Sequence, residues 1–182
     1  MGYLQDLKRA ERLRTDLLNF CISKDETRLH LTGVVHHGQV ESLVSCDGYK
    51  AAILPSRYND SIKDIIIEPK TYRVIEREYP KLGNLVPDIS TLETSEFYIK
   101  TNHYIKEAKG KPTHAYFHVN DKGSYVSLEE SEGHKFVINA SFLKYLVGKS
   151  WHIAYGKGLS PILVSLDGDS FTDQFLMMPL KV

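Results

Sequence analysis

Phe175-Leu-Met-Met-Pro-Leu-Lys-Val182 decides how this chain is read. Phe175 to Met178 is an uninterrupted apolar run and predicts a buried strand. Pro179 has no N–H to give to a ladder, so pairing ends or becomes one-sided there. The sequence stops three residues later, which leaves an apolar lip on the surface. Two more strands precede this one, Trp151 to Tyr155 and Pro161 to Leu166. Ahead of them Asn139 is placed to cap a helix from Ala140 to Val147, whose buried side holds Phe142, Leu143, Leu146 and Val147.

The same order, a helix and then three strands, occurs at the other end. Tyr3, Leu7, Ala10, Arg14, Leu17 and Cys21 share one stripe at helical spacing, which predicts a helix over 3–21. Arg28 to Val35, Glu41 to Cys46 and Tyr49 to Leu54 read as strands, with turns near His37-Gly38 and at Asp47-Gly48. No residue-level repeat accompanies the recurrence. Asp64 to Glu68 is a further strand, and Pro69 suits the first turn of a helix over Lys70 to Glu78. Pro80, Gly83 and Pro87 punctuate a stretch without periodicity, so 79–95 reads as a linker between domains at 1–78 and 96–182. Beyond it come a strand at Phe97 to Lys100, a short helix from Asn102 to Ala108, a hairpin of 114–119 with 124–128, and a strand at Lys135 to Ile138. The fold class is α+β, with helices on one face of antiparallel sheets.

Composition narrows the function. The 182 residues suffice for one large domain or two small ones, and 42% apolar with 25% charged is ordinary for a globular protein. No apolar run approaches the roughly 20 residues of a membrane span. Met1-Gly-Tyr-Leu-Gln-Asp-Leu-Lys8 does not read as a leader, so a soluble cytoplasmic protein with no membrane partner is expected. The two cysteines, Cys21 and Cys46, lie in apolar stretches without metal spacing and read as reduced buried thiols. Lys plus Arg and Asp plus Glu both number 23. That balance argues against a protein that grips phosphates tightly, and allows one that is basic on one face only.

No enzyme constellation emerges. His30, His36 and His37 cluster, but adjacent strand residues point to opposite sides and no acid is spaced to complete a metal site. Cys46-Asp47-Gly48 is explained by its turn. Gly156-Lys-Gly158 is too short for a phosphate loop. Glu129, Glu130 and Glu132 lie in a polar loop. The expectation is no catalytic residue, no metal and no cofactor.

Several stretches resemble the bacterial sliding clamps, the beta subunit family of DNA polymerase III, in the family's own order. Ser23-Lys-Asp-Glu-Thr-Arg-Leu-His-Leu-Thr-Gly-Val34 with Leu43-Val-Ser-Cys-Asp-Gly-Tyr-Lys50 resembles the start of the middle clamp domain, an Arg-x-x-Leu-x-Gly strand leading to an Ala-Thr-Asp-Gly-x-Arg turn. Ile65-Ile-Ile-Glu-Pro-Lys70 is similar to the strand and proline before that domain's second helix. Tyr79-Pro-Lys-Leu-Gly-Asn-Leu-Val-Pro87 resembles the Phe-Pro-x-Tyr-x-x-Val-x-Pro linker into the last domain. Asn139-Ala-Ser-Phe-Leu-Lys-Tyr-Leu146, Ser160-Pro-Ile-Leu-Val164 and the Met-Pro ending resemble that last domain. The chain thus looks like the last two clamp domains, shortened. Nothing corresponds to the family's first domain, and too few positions separate Pro69 from Tyr79 for the strands that close the middle one. Cys46 stands where the family commonly has Thr, Ala51 where it tends to have Leu, and Lys50 and Lys181 where it has Arg.

The resemblance implies a processivity factor that encircles double-stranded DNA without sequence specificity. Its helices would line the hole, with Lys8, Arg9, Arg12, Arg14, Lys144 and Lys149 as DNA-facing cations; on the first helix the solvated-face reading stays open. It also implies an apolar pocket for short peptides of DNA polymerases and other partners, built from Arg28, Leu31, Cys46, Ala51, Pro80, Leu85, Leu176, Met178, Pro179 and Lys181. Leu31, Leu85 and Leu176 read equally well as core. A homo-oligomeric ring and a clamp loader complete the implied partners. The alternative is a monomeric, clamp-derived module that competes for such peptides without encircling DNA.

Overall fold

The apolar helical stripe near the start of the chain forms the element that the first half of the fold is built on. A computed structural model describes residues 2–38, 40–56, 64–81, 86–98, 113–121, 123–130, 132–146, 150–166 and 172–181, without the side chains of 2–10 and 145. In chain order its elements are α1 (Gly2–Cys21), β1 (Val34–His37), β2 (Ser42–Cys46), β3 (Lys50–Pro55), β4 (Ile66–Ile67), β5 (Val74–Ile75), β6 (Glu93–Tyr98), β7 (His114–Asn120), β8 (Gly123–Ser127), β9 (Phe136–Asn139), β10 (Ser150–Tyr155), β11 (Ile162–Ser165) and β12 (Gln174–Met177). Short 3-10 helices run over Glu26–Leu31, Ile89–Thr91 and Ala140–Tyr145. The α+β class is as expected. The chain divides into two units, Met1–Leu85 with Thr172–Leu176, and Val86–Phe171 with Met177–Val182.

In the first unit the strands run in the order β5-β4-β1-β2-β3-β12. β1, β2 and β3 form an antiparallel meander in which Val35 faces Val44 and Cys46 faces Ala51. β3 is buried from Lys50 to Leu54, as a central strand covered on both faces must be. α1 packs on β2 and β3, burying Leu17 and Cys21. Gly33 precedes β1 because nothing larger fits: an added Cβ would lie 2.6 Å from Ile66 Cγ2 and 2.8 Å from the Ile67 carbonyl oxygen.

Arg14 lies on the buried stripe of α1, 8% exposed. Its guanidinium pairs with the Asp173 carboxylate and donates to the Pro55 carbonyl at 2.7 Å. Three segments distant in sequence therefore meet at one cation.

In the second unit β11-β10-β6 form one sheet segment and β8-β7-β9 a three-stranded sheet. Phe97, Phe117 and Phe136 meet between them, with Phe117 stacked on Phe136 at 4.6 Å and Phe97 edge-on to Phe117 at 5.1 Å. Burying each such ring contributes about 1.5–3 kcal/mol. The Trp151 indole donates to the Leu146 carbonyl at 2.5 Å. His118 is 3% exposed, stacked on Tyr125 at 4.6 Å with the His134 ring beside it.

Three expected elements differ. Arg28 to Thr32 is not strand: Asp25 caps the 3-10 helix by accepting from the Thr27 amide and hydroxyl, and that local turn wins over alternation. Lys70 to Glu78 is not helix. The Glu68 amide donates to the Arg73 carbonyl at 2.9 Å and closes a hairpin, Tyr72 takes φ +56°, and the β-branched Val74 and Ile75 extend beside β4. Asn139 caps as expected, accepting from the Ser141 amide, but a 3-10 rather than an α-helix follows. The expected helix at 102–108 lies outside the described residues.

Two outcomes follow. Arg14→Ala leaves the half-buried Asp173 carboxylate without its cation and lowers unfolding stability by about 3 kcal/mol, read as a shifted urea midpoint. Burial, and then His134, hold the His118 imidazole below its ordinary value of 6.5. The unfolded chain therefore binds that proton more tightly, so this contribution is complete above pH 6.5 and is lost as pH falls below it. His118→Phe keeps the stack and removes this slope in a stability–pH series.

Candidate functional site

The β2–β3 turn joins several of the residues marked by sequence. Asp47 Oδ1 accepts from the Tyr49 and Lys50 amides at 2.9 and 3.0 Å, which tightens the turn. Gly48 takes φ +93°, a conformation that favours glycine, and an added Cβ would lie 3.2 Å from Arg28 Nη1. The Gly48 amide donates to Cys46 Sγ at 3.2 Å. Arg28 reaches the same turn, with Nη1 donating to the Asp47 carbonyl at 3.5 Å and Nε 3.6 Å from Asp25. Lys50 bends back to pair with Asp47 and sits 4.6 Å over the Phe20 ring. Lys50 is thus a structural cation, and Tyr49 is left 65% exposed at the tip.

Beneath this turn lie Cys21, Cys46 and Tyr79. Burial pushes the Cys21 thiol well up and the Cys46 thiol up as well, so both stay protonated and unreactive. They are free thiols, as expected. Tyr79 is buried, its ring 6.1 Å from His37, and burial raises its phenol too. The Tyr79 hydroxyl has no hydrogen-bond partner among the described residues.

The residues expected to form a peptide pocket fall in both units. In the first, Leu31, Cys46, Ala51 and Leu176 are buried, Arg28 is exposed and Pro80 half-buried. Cross-strand register brings Cys46 opposite Ala51, and the turn brings Arg28 to Asp47. Leu85 lies outside the described residues. In the second unit Met178 and Pro179 are half-buried and Lys181 is exposed. The Leu180 amide donates to the Val137 carbonyl at 2.7 Å, so the segment after β12 lies along β9.

Of the expected DNA-facing cations, Arg14 is corrected: its buried pairing with Asp173 turns it inward. Arg12 is exposed, 3.8 Å from Asp16 one turn on, and Lys144 is exposed. The side chains of Lys8 and Arg9, and all of Lys149, lie outside the described residues. Among the described residues no group of three or more His, Cys, Asp or Glu side chains could hold a metal ion, and no helix is long and apolar enough to cross a membrane.

Two concavities had no forecast. In the first unit a groove of about 470 Å³ runs beside α1, lined by Leu18, Val34, Leu43, Ile65, Ile67 and Tyr72 among others. In the second a groove of about 220 Å³ lies between His134–Val137, Gly158-Leu159 and Pro179–Lys181. Three consecutive isoleucines, Ile65 to Ile67, in a strand must put apolar side chains on both faces, which is the sequence signal for the first; the second joins segments far apart in sequence.

No protein-family model matches the chain, and no curated protein matches it. Solved structures do. A beta sliding clamp of Caulobacter crescentus is similar with a TM-score of 0.69 at 17% identity, over 96% of this chain and 64% of that one. The DNA polymerase sliding clamp of Bacillus subtilis is similar at 0.61 and 17% identity, over 95% and 63%. The DNA polymerase III subunit beta of Bartonella birtlesii, bound to griselimycin, is similar at 0.64 and 16% identity, over 95% and 64%. The chain therefore has the bacterial sliding-clamp fold and spans less than two thirds of the length of these clamps.

Tyr79 stands where the resembling linker has Phe, and its hydroxyl has no partner among the described residues. Tyr79→Phe raises stability by about 1 kcal/mol in chemical denaturation, because a buried group without a partner is removed; a lower midpoint sinks that account.

Proposed function

We propose that this protein is a sliding-clamp-like processivity factor for a DNA polymerase. It holds double-stranded DNA by topology and captures partner peptides in an apolar pocket. The observation that carries this reading is the clamp fold, matched over 96% of the chain. In it, residues 1–78 and 96–182 act as the clamp-like domains, joined through 79–95. A ring is made by several copies through head-to-tail contacts. Diffuse attraction from Arg9, Arg12 and Lys144 is screened within about 10 Å at 0.1 M salt, and none of these groups reads bases. No covalent step belongs to this function.

A second reading has one observation in its favour. Of the described side chains on the outer side of α1, Arg12 pairs with Asp16 and Glu11 is exposed, so the described part of that surface is not strongly basic. A monomeric module that binds clamp-partner peptides and competes for them fits such a surface.

Light scattering across a concentration series separates the two. The ring reading expects a discrete oligomer of three or more copies that stays on circular DNA and slides off linear DNA. Arg9→Glu with Arg12→Glu then shortens retention without unfolding the protein. A monomer at every concentration that is never retained on circular DNA overturns the ring and leaves the peptide-binding module.

A further inference from the structure

Strands β2, β1, β4 and β5 carry apolar side chains on both faces of the first unit's sheet. On one face Val35, Val44 and Ile66 are fully buried. On the other, cross-strand register sets His36 opposite Leu43, and sets Val34 and Val74 opposite Ile67. Val34, His36 and Leu43 are half-buried there, while Ile67 and Val74 are exposed. An antiparallel sheet with one wet face alternates apolar and polar side chains. Here the outward positions are mostly apolar, which is the pattern of a sheet covered on both sides. α1 covers part of this face and forms one wall of the groove of about 470 Å³ through Thr15, Leu18 and Asn19, spaced i, i+3 and i+4. The far rim is the β4–β5 turn, where Tyr72 takes φ +56° and stands 81% exposed. The helix expected over Lys70 to Glu78 would have been the chain's own candidate cover, but that stretch is the hairpin that makes this rim.

We infer that this groove receives an amphipathic helix of a partner protein, laid beside α1 with its apolar stripe on Val34, Leu43, Ile65 and Ile67. Size and exposure select this occupant. β2, β1 and β4 are neighbours in the sheet, so the floor is about 10 Å wide, close to the diameter of a helix. A helix of that width, sunk to half its depth, fills about 470 Å³ over roughly 12 Å, or about two turns. Such a strip covers about 200 Å², far below the roughly 800 Å² per partner of a stable dimer, so a second folded copy is not selected. A small lipophile is disfavoured because its site normally encloses it. Ile65, Ile67 and Tyr72 are all exposed, so this groove meets its occupant on one side only. An amphipathic helix has a polar side to leave in water. None of the described lining residues belongs to the pocket expected from sequence, so the inference goes beyond peptide capture there and does not depend on ring closure.

The test uses the full chain and two short lactam-bridged helical peptides of one composition, both fluorescent. In one, leucines sit at i, i+3, i+4 and i+7; in the other they are spread round the helix. Bridging removes the cost of forming a helix in a short peptide. Polarisation should show the striped helix binding at least about tenfold tighter. Ile67→Lys with Tyr72→Ser, both at exposed positions, should abolish that difference, and Tyr72→Ser alone should reduce it. A benzophenone on the stripe should crosslink to α1 or to the β4–β5 hairpin. Equal binding of the two helices overturns the inference. Crosslinks to residues 178–181, with a preference that survives the groove variants, assign the helix to the pocket expected from sequence and also overturn it. Binding of neither helix overturns it outright, and anilinonaphthalenesulfonate fluorescence that the groove variants remove then assigns the site to a small lipophile. Self-association that falls to a monomer in Ile67→Lys with Tyr72→Ser gives the groove to a second copy instead.

Discussion

The buried contact of Arg14 with Asp173 and Pro55 is the constraint on which the first unit depends. A guanidinium held off water costs several kcal/mol unless its donors are met by charge and carbonyl. Here the partners come from the end of β3 and from the residue before β12, so the cation is satisfied only when α1, the meander and the late segment meet. That is why Thr172–Leu176 belongs with the first eighty-odd residues rather than with its sequence neighbours. An apolar residue at position 14 could fill the space, but it would leave α1 free to settle on the sheet without the late segment.

A second cation is treated the same way. Lys50 is tied to Asp47 and covers Phe20, where the resemblance puts an arginine. Arg14 and Lys50 thus stabilise internal turns and junctions, and neither contributes to an outer field. For a chain of zero formal charge this matters more than the total. Under the proposed clamp role, a hold on DNA would come from topology and a few surface cations, the regime in which a ring slides instead of gripping.

What could be read in the sequence was what local chemistry dictates. The apolar period of α1, the Asp47-Gly48 turn, the hairpin ending in Gly123 and the Asn139 cap each depend on a few adjacent residues, and each formed where expected. The stretch from Arg28 to Thr32 alternates like a strand, yet one aspartate three residues earlier bends it. Lys70 to Glu78 carries helix formers after a proline, yet the preceding strand, β4, claims Val74 and Ile75 through a tight hairpin. Arg14 was ambiguous in a more instructive way: its place on the apolar stripe and its place in a run of cations pointed in opposite directions. Only Asp173, a residue far along the chain, decides between them.

The candidate site was less legible than the fold because its residues do two jobs. Leu31, Cys46, Ala51 and Leu176 are apolar at positions where a pocket wall and a core look alike in sequence, and all four are buried. Exposure falls instead on Arg28 and Tyr49 in the first unit, and on Leu159, Lys135 and Lys181 in the second. A fold shared at 17% identity does not fix which residues stand at its exposed positions. Tyr79 shows that even a core position can carry a hydroxyl that gains no partner among the described residues. What such a chain does has to be read from the exposed side chains it carries, because a shared fold does not fix function.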